Sequence, residues 1–347
     1  MLALRFATVV FASMLIGSEL GAADSKLPVE DAIRAAISRS VPLLEKGAIG
    51  SAEQRQCFTC HNQALPVLAM VEARDRGFAI DEQNLKRQLE HTAAHLQRGR
   101  AKYLQGRGQG GQVSTAGYAL WTLEAGGWQP DETTAAVTSY LLEYQQDLPH
   151  WRHRGNRPPS QGSDFTATYV ALRGLSAFGT QDQQPEFGER TRAVTSWLRE
   201  TSPADTEDRV FRLNSLAYID AADLTKLAAR ELLDTQRDDG GWAQTSQMTS
   251  DAYATGSALV ALLDAGEIPA DAAPIRRGIR YLLDTQLQDG SWHVVTRAEP
   301  FQTYFESGFP HGEDQFISIA GSSWATLALL RVLPDRPDRT AAANATP

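Results

Sequence analysis

Cysteine is almost missing from this sequence: Cys57 and Cys60 are the only two in 347 residues. A framework of several disulfides is excluded, so the fold must be held by its apolar core. A basic run is missing too. Lys and Arg number 33 against 42 Asp and Glu, giving a formal net charge of −9. Nucleic acid and anionic membrane surfaces are poor partners for such a chain. Beyond the N-terminal stretch there is no second long hydrophobic run, so no integral membrane segment is expected after that stretch is cleaved.

That stretch opens Met1-Leu2-Ala3-Leu4-Arg5, runs apolar from Phe6 to Gly17 and leaves through Gly21-Ala22-Ala23. One early positive charge, a short apolar core and a small-residue exit predict a secretory signal peptide over 1–23. The expected location is therefore periplasmic or extracellular. At the other end, 334–347 is rich in Pro, Asp, Ala and Thr and reads as a loose tail.

Between these ends the chain repeats. Leu232-Leu233-Asp234-Thr235-Gln236 leads to Gly240-Gly241-Trp242, and Leu282-Leu283-Asp284-Thr285-Gln286 leads to Gly290-Ser291-Trp292. The two copies keep register from the leucines to the tryptophan. Leu141-Leu142-Glu143-Tyr144-Gln145 with Trp151 is a degraded third copy. Each is followed by a small-residue run, headed by Ser163-Asp164, Ser250-Asp251 or, in the last case, Ser322-Ser323. A repeat of this period builds a stacked architecture whose units bury their apolar faces only against neighbours.

Runs that are small and apolar all round suit a fully packed inner layer, and amphipathic charged runs suit an outer one. Outer helices are expected over 29–45, 81–98, 131–145, 187–200, 222–236 and 271–286. Inner helices are expected over 58–76, 113–126, 163–177, 206–220, 250–265 and 316–332. Six pairs suffice to close a ring, giving an all-α fold, an α6/α6 toroid, as one domain over 24–333. The Gln and Trp of each copy are read as structural, tying an outer helix end to the next inner helix.

The Gln236–Trp242 and Gln286–Trp292 copies, with Asp251–Gly256 heading a helix, resemble the QW repeats of squalene-hopene cyclases. The wider superfamily is the terpenoid cyclase/protein prenyltransferase α/α toroid. The similarity is strongest over 220–333. The chain also resembles exported bacterial squalene-cyclase-like proteins that join a Cys-x-x-Cys-His segment to this toroid and carry a Phe-Pro-His-Gly loop, here Phe309–Gly312. The resemblance implies a barrel around a central cavity, which would hold an apolar small molecule or a partner peptide.

If inner and outer helices alternate, all inner helices run parallel and the loops before them gather at one mouth. Those loops carry Cys57, Cys60 and His61; His150 and His153; Asp164; Asp251; and His311, Glu313 and Asp314. Cys57-x-x-Cys60-His61 is the pattern that attaches haem c, with the thiols adding to the vinyl groups and His61 as proximal iron ligand. An electron-transfer role with a redox partner would follow. A Cys57–Cys60 disulfide or free redox pair is the second reading. Zinc is the third, with His91 and His95 at i, i+4 supplying two further ligands. For a distal haem ligand, Met70 is badly placed, and His91, His95 or His311 are freer.

Asp164 and Asp251 read as helix caps or as acids lining the mouth. His311, Glu313 and Asp314 form a chemically dense loop that offers an acid/base group or a ligand. The resemblance also implies what is missing. Squalene-hopene cyclases protonate an alkene with an Asp-x-Asp-Asp acid, and Asp205-Thr206-Glu207-Asp208 does not match that run. The zinc site of protein prenyltransferases has no counterpart, and neither does the second barrel that completes a two-domain cyclase. The leading expectation is a binding or electron-transfer toroid. The alternatives are a cyclase-like isomerase using Asp251 or the 311–314 loop as a non-standard acid, and a non-catalytic interaction module.

Overall fold

A computed structural model describes residues 30–300 and 303–334. The expected signal peptide at 1–23 lies outside them, as does the tail at 334–347 apart from Pro334. Twelve α-helices are present among the described residues, with no strand. The outer ones are α1 (Glu30–Gln54), α3 (Glu82–Tyr103), α5 (Glu132–Glu143), α7 (Gln184–Glu200), α9 (Ala222–Leu233) and α11 (Ala273–Thr285). The inner ones are α2 (Leu65–Asp75), α4 (Gln112–Ala125), α6 (Asp164–Phe178), α8 (Thr206–Tyr218), α10 (Ala252–Asp264) and α12 (Gln315–Arg331). Each inner helix packs on the next inner one, and α12 returns to α2, which closes the ring. No described helix is long and apolar enough to cross a membrane.

Residue size explains the two layers. In α4, the run from Val113 to Leu123 is buried without a break, and in α10 the run from Ala252 to Leu262 is too. Glycine permits the closest of these contacts: a Cβ on Gly256 of α10 would lie 2.5 Å from the backbone carbon of Trp324 on α12. In α11, by contrast, only Ile275, Gly278, Ile279 and Leu282 are buried, a single stripe.

The repeat is structural, as its residues led one to expect. Trp242 Nε1 donates to the Leu232 carbonyl at 3.0 Å, Trp292 Nε1 to Leu282 at 2.8 Å and Trp151 Nε1 to Leu141 at 2.7 Å. Thus each indole caps the end of its own outer helix. Its backbone N–H then bonds the next inner helix, through Thr255, Ser322 or Thr168. Gln236 reaches the Pro274 carbonyl on α11, and Gln286 makes the same reach to Ala36 on α1. One side-chain device therefore both propagates the ring and closes it.

One local expectation is corrected. The inner helix expected from 58 begins instead with a π-turn, Cys60–Ala64, where Ala64 N–H bonds the Thr59 carbonyl. Thr59 is extended and caps this turn with its hydroxyl on Asn62 N–H. Cys57 lies in the bend before it. The two thiols therefore do not sit one helical turn apart on a common face.

Candidate functional site

The inner helices do present their N-termini at one mouth, and the candidate residues distribute around it. Cys60 is buried, 3.5 Å from Ser160 Oγ and 3.8 Å from His61 Nδ1, whereas Cys57 is exposed. Burial pushes the Cys60 thiol up. His61 is held to about 3, chiefly by burial and then by Arg157. Its ring lines a cavity of ≈ 300 Å³ together with Arg157, Tyr304, Glu313 and Phe316. The structure thus joins His61 to Glu313 across the mouth.

These positions decide how well each reading of the Cys-x-x-Cys-His segment fits. One sulfur faces solvent and the other the interior, so they do not address one porphyrin edge together. Both thiols are free. His91 Nε2 meets the Cys57 carbonyl at 3.3 Å, and His95 lies against the Phe58 ring. Among the described residues no three His, Cys, Asp or Glu converge as a metal-ligand set. The haem and four-donor zinc arrangements therefore do not fit this geometry. Met70 is buried against Val67 and Leu85.

Asp164 and Asp251 differ in their work. Asp251 is a cap: Oδ1 accepts from Ala254 N–H at 2.9 Å and Oδ2 from Gln244. Burial raises its carboxyl to about 6. For α6 the cap is Ser163, not Asp164. Asp164 instead gathers His153 Nδ1 at 2.6 Å and His150 Nε2 at 3.3 Å, and it stays well below the usual carboxylate range because their hydrogen bonds outweigh its desolvation.

The 311–314 loop also comes out as structural in part. His311 has a left-handed backbone (φ 85°), stacks on His293 at 4.7 Å and contacts Ser291 Oγ at 2.8 Å. Asp314 accepts from His293 and from Thr296 N–H, both at 2.8 Å. Glu313 of this loop lines the cavity beside His61.

The acid that sequence reasoning passed over is Glu207. It heads α8, is 4% exposed, and its Oε1 accepts from Thr166 Oγ1 at 2.9 Å and from Tyr253 OH at 3.4 Å. Its Oε2 has no partner among the described residues. Desolvation, with Asp205 and Asp208 nearby, raises the carboxyl to about 8. Burial thus favours its neutral form, and Oε2 is left unengaged among the described residues. The signal was legible: Asp205-Thr206-Glu207-Asp208 departs from Asp-x-Asp-Asp by one methylene at the third position. Pro159 closes a narrow crevice over this acid, formed with Thr206, Gln244, Tyr253, Ala254 and Ser257.

Below the acid, the barrel axis is aromatic. Trp121 meets Tyr118 at 5.9 Å, Tyr169 at 5.4 Å and Trp324 at 6.4 Å, while Phe211 lies 6.4 Å from Trp324. This column ends in a cavity of ≈ 180 Å³ at the far mouth. Its polar walls are Glu72, Arg173, Asp264 and Arg331.

Comparison with known proteins agrees with this architecture. Residues 204–318, which include Glu207, match the squalene-hopene cyclase C-terminal domain. A probable squalene–hopene cyclase of Sinorhizobium fredii is 28% identical over 231 residues, covering 56% of this chain. The chain spans about a third (32%) of that relative's length. Among solved structures, the type II terpene cyclase MstE from Scytonema, in a variant bound to geranylgeranyl dihydroxybenzoate, aligns with TM-score 0.56 and 14% identity over 88% of this chain and 99% of that one. An unsaturated glucuronyl hydrolase from Bacillus sp. GL1 aligns with TM-score 0.57 and 14% identity, over 86% and 96%. The fold thus hosts unlike chemistries, and one barrel spans the whole of the aligned MstE chain. The chain thus has the α/α-toroid fold of the terpene cyclases, and within it residues 204–318 are similar to the squalene-hopene cyclase C-terminal domain.

Proposed function

We propose that the chain is a Brønsted-acid enzyme of terpene-cyclase type that isomerises an isoprenoid alkene, with Glu207 as the proton donor. The observation that carries this reading is a buried, neutral carboxyl whose second oxygen has no partner. Such an acid can protonate a carbon–carbon double bond, a task for which an ionised surface carboxylate is useless. Thr166 and Tyr253 hold Oε1 and leave the proton on Oε2 directed away from them.

Protonation at one alkene carbon leaves a carbocation at the other. A second double bond of the same chain then attacks it, closing a ring and moving the charge along. The faces of Trp121, Tyr169, Phe211 and Trp324 would stabilise that charge by cation–π attraction. Loss of a proton from a neighbouring carbon ends the sequence, so product and substrate are isomers and the acid is regenerated from solvent. Substrate access requires the 144–163 connection, which carries Pro159, to move off the crevice. Single-barrel extent is no obstacle, since MstE aligns over nearly its whole length. Export, as 1–23 reads, is part of the proposal.

The test is incubation with linear isoprenoids of graded length, followed by mass spectrometry for isomers of unchanged mass. Glu207→Gln preserves shape and removes the proton; it should cut turnover by about 10²–10⁴-fold, the range of a positioned acid. No isomer from any substrate, or full activity in folded Glu207→Gln protein, would sink the reading.

A further inference from the structure

We propose that the cavity at the far mouth of the barrel, at the other end of the inner ring from Glu207, binds a free α-amino acid with an apolar side chain. It holds ≈ 180 Å³, and all six inner helices contribute to its wall. That is below the roughly 300 Å³ at which pockets take drug-sized ligands, so its occupant is a small molecule. Val71, Ala125 and Asn214 in the wall are half-buried, which leaves the cavity open to solvent.

Helix order sorts the polar groups onto two facing walls. The inner helices pack in the order α2, α4, α6, α8, α10, α12 and back to α2. Three neighbours, α10, α12 and α2, carry Asp264, Arg331 and Glu72. Arg331 bridges the two acids, with Nε 2.6 Å from Asp264 Oδ1 and Nη1 on Glu72. Across the ring, α6 and α8 carry Arg173 and Asn214. One wall is thus rich in carboxylate oxygens and the other in N–H donors.

Neither wall is saturated. Arg173 donates through Nε to Glu124 at 2.6 Å, through one Nη to Tyr169 OH at 3.0 Å and through the other to Glu124 at 3.3 Å. A guanidinium has five N–H groups, so part of its capacity stays available. The Asn214 carboxamide makes no hydrogen bond among the described residues. Each oxygen of Glu72 and Asp264 is met by an arginine nitrogen and keeps a further lone pair.

A ligand with both an ammonium and a carboxylate meets the two walls without breaking an ion pair. Its ammonium donates to Glu72 and Asp264, and its carboxylate accepts from Arg173 and Asn214. The surrounding charges already balance, Glu72, Glu124 and Asp264 against Arg76, Arg173 and Arg331. A zwitterion keeps that balance, whereas a singly charged ligand would leave an unpaired charge in a half-buried site. The C-terminal ends of the inner helices point at this mouth, and their dipoles favour the ammonium. Leu68, Trp121, Val260 and Leu327 form the apolar floor that takes the side chain. The site is separate from the buried acid and does not rest on the alkene chemistry.

Calorimetric titration of the whole chain with L-leucine tests it, against isoamylamine, isocaproate and glycine. These three lack the carboxylate, the ammonium and the apolar side chain in turn. L-Leucine should bind, and each of the three should bind about tenfold or more weakly. Asn214→Leu removes a donor from one wall, and Ala125→Leu fills the rim with a residue that suits a helix. Each should weaken L-leucine about tenfold, while unfolding without ligand stays cooperative. No binding of L-leucine to folded protein, any of the three analogues matching it, or both variants keeping full affinity would overturn the proposal. Folded Glu207→Gln protein should bind L-leucine unchanged, so failure of the acid mechanism is distinguishable from failure of this site.

Discussion

Thr166 on α6 donates its hydroxyl to Glu207 on α8 at 2.9 Å, so the buried acid is held by an alcohol and a phenol and not by a cation. The two hydrogen bonds do not offset its desolvation, and burial raises the carboxyl to about 8. That gives a pH signature. An acid whose carboxyl is raised in the folded state binds more protons there than in the unfolded chain. Stability then falls as pH rises, here from about 4.5, the ordinary carboxylate value, to about 8. Asp251, raised to about 6, adds to the lower part of that window. Glu207→Gln should flatten the decline above pH 6 and shrink the part below it to the share that Asp251 contributes. Melting temperatures of both proteins across pH 4.5–8.5 check this (that span is about the titration range of the raised acids). Parallel curves would show that Glu207 ionises normally.

Trp242 and Trp292 make equivalent bonds in equivalent places, each indole to the carbonyl ten residues before it. Trp→Phe at either position keeps an aromatic ring but orphans a buried carbonyl and leaves a gap. Each should cost about 1–3 kcal/mol, and the two losses should agree closely because the surroundings repeat. Denaturant midpoints of the two variants provide the comparison. A large loss at one and none at the other would contradict the shared role.

Much of this was legible before the structure. The two layers follow from which runs are small all round and which carry one apolar stripe, and the ring followed from counting pairs. What sequence pattern alone did not supply was depth. Asp251 and Glu207 both head inner helices behind small residues, yet Asp251 spends its oxygens on Ala254 and Gln244 while Glu207 keeps one unengaged. Spacing marks a helix start equally for both; only packing from Thr166, Tyr253 and Pro159 separates them. His311 shows the complementary case. A histidine between proline and glycine looks reactive, but here it fills a left-handed turn against Ser291 and His293.

The inner ring tolerates little added volume. A methyl on Gly256 would meet the backbone of Trp324 and Ala325 at 2.5 and 2.6 Å, and backbone cannot rotate away. Gly256→Ala should therefore destabilise by about 1–3 kcal/mol, although alanine favours helices over glycine. Urea unfolding reads the sign directly. A stabilised Gly256→Ala protein would mean that α10 and α12 separate more easily than their contact indicates.

The last expectation concerns the two thiols. Cys57 is exposed, whereas Cys60 is buried beside Ser160 with its thiol pushed up by burial. A thiolate is the reacting species, so a buried thiol with a raised titration point is doubly protected. Native protein at pH 8 should therefore be alkylated at one cysteine only (about the pH at which an ordinary thiol begins to ionise). Cys57→Ser should remove that reaction, and the second thiol should appear only in denaturant. Protein exported from a host able to attach haem c should give the same count and no absorption band that survives denaturation. Loss of both thiols together with such a band would mean that the 57–61 segment rearranges to present both sulfurs to one porphyrin, which would restore the haem reading. Two thiols reacting at equal rates would instead show that the π-turn opens readily, and the mouth with it.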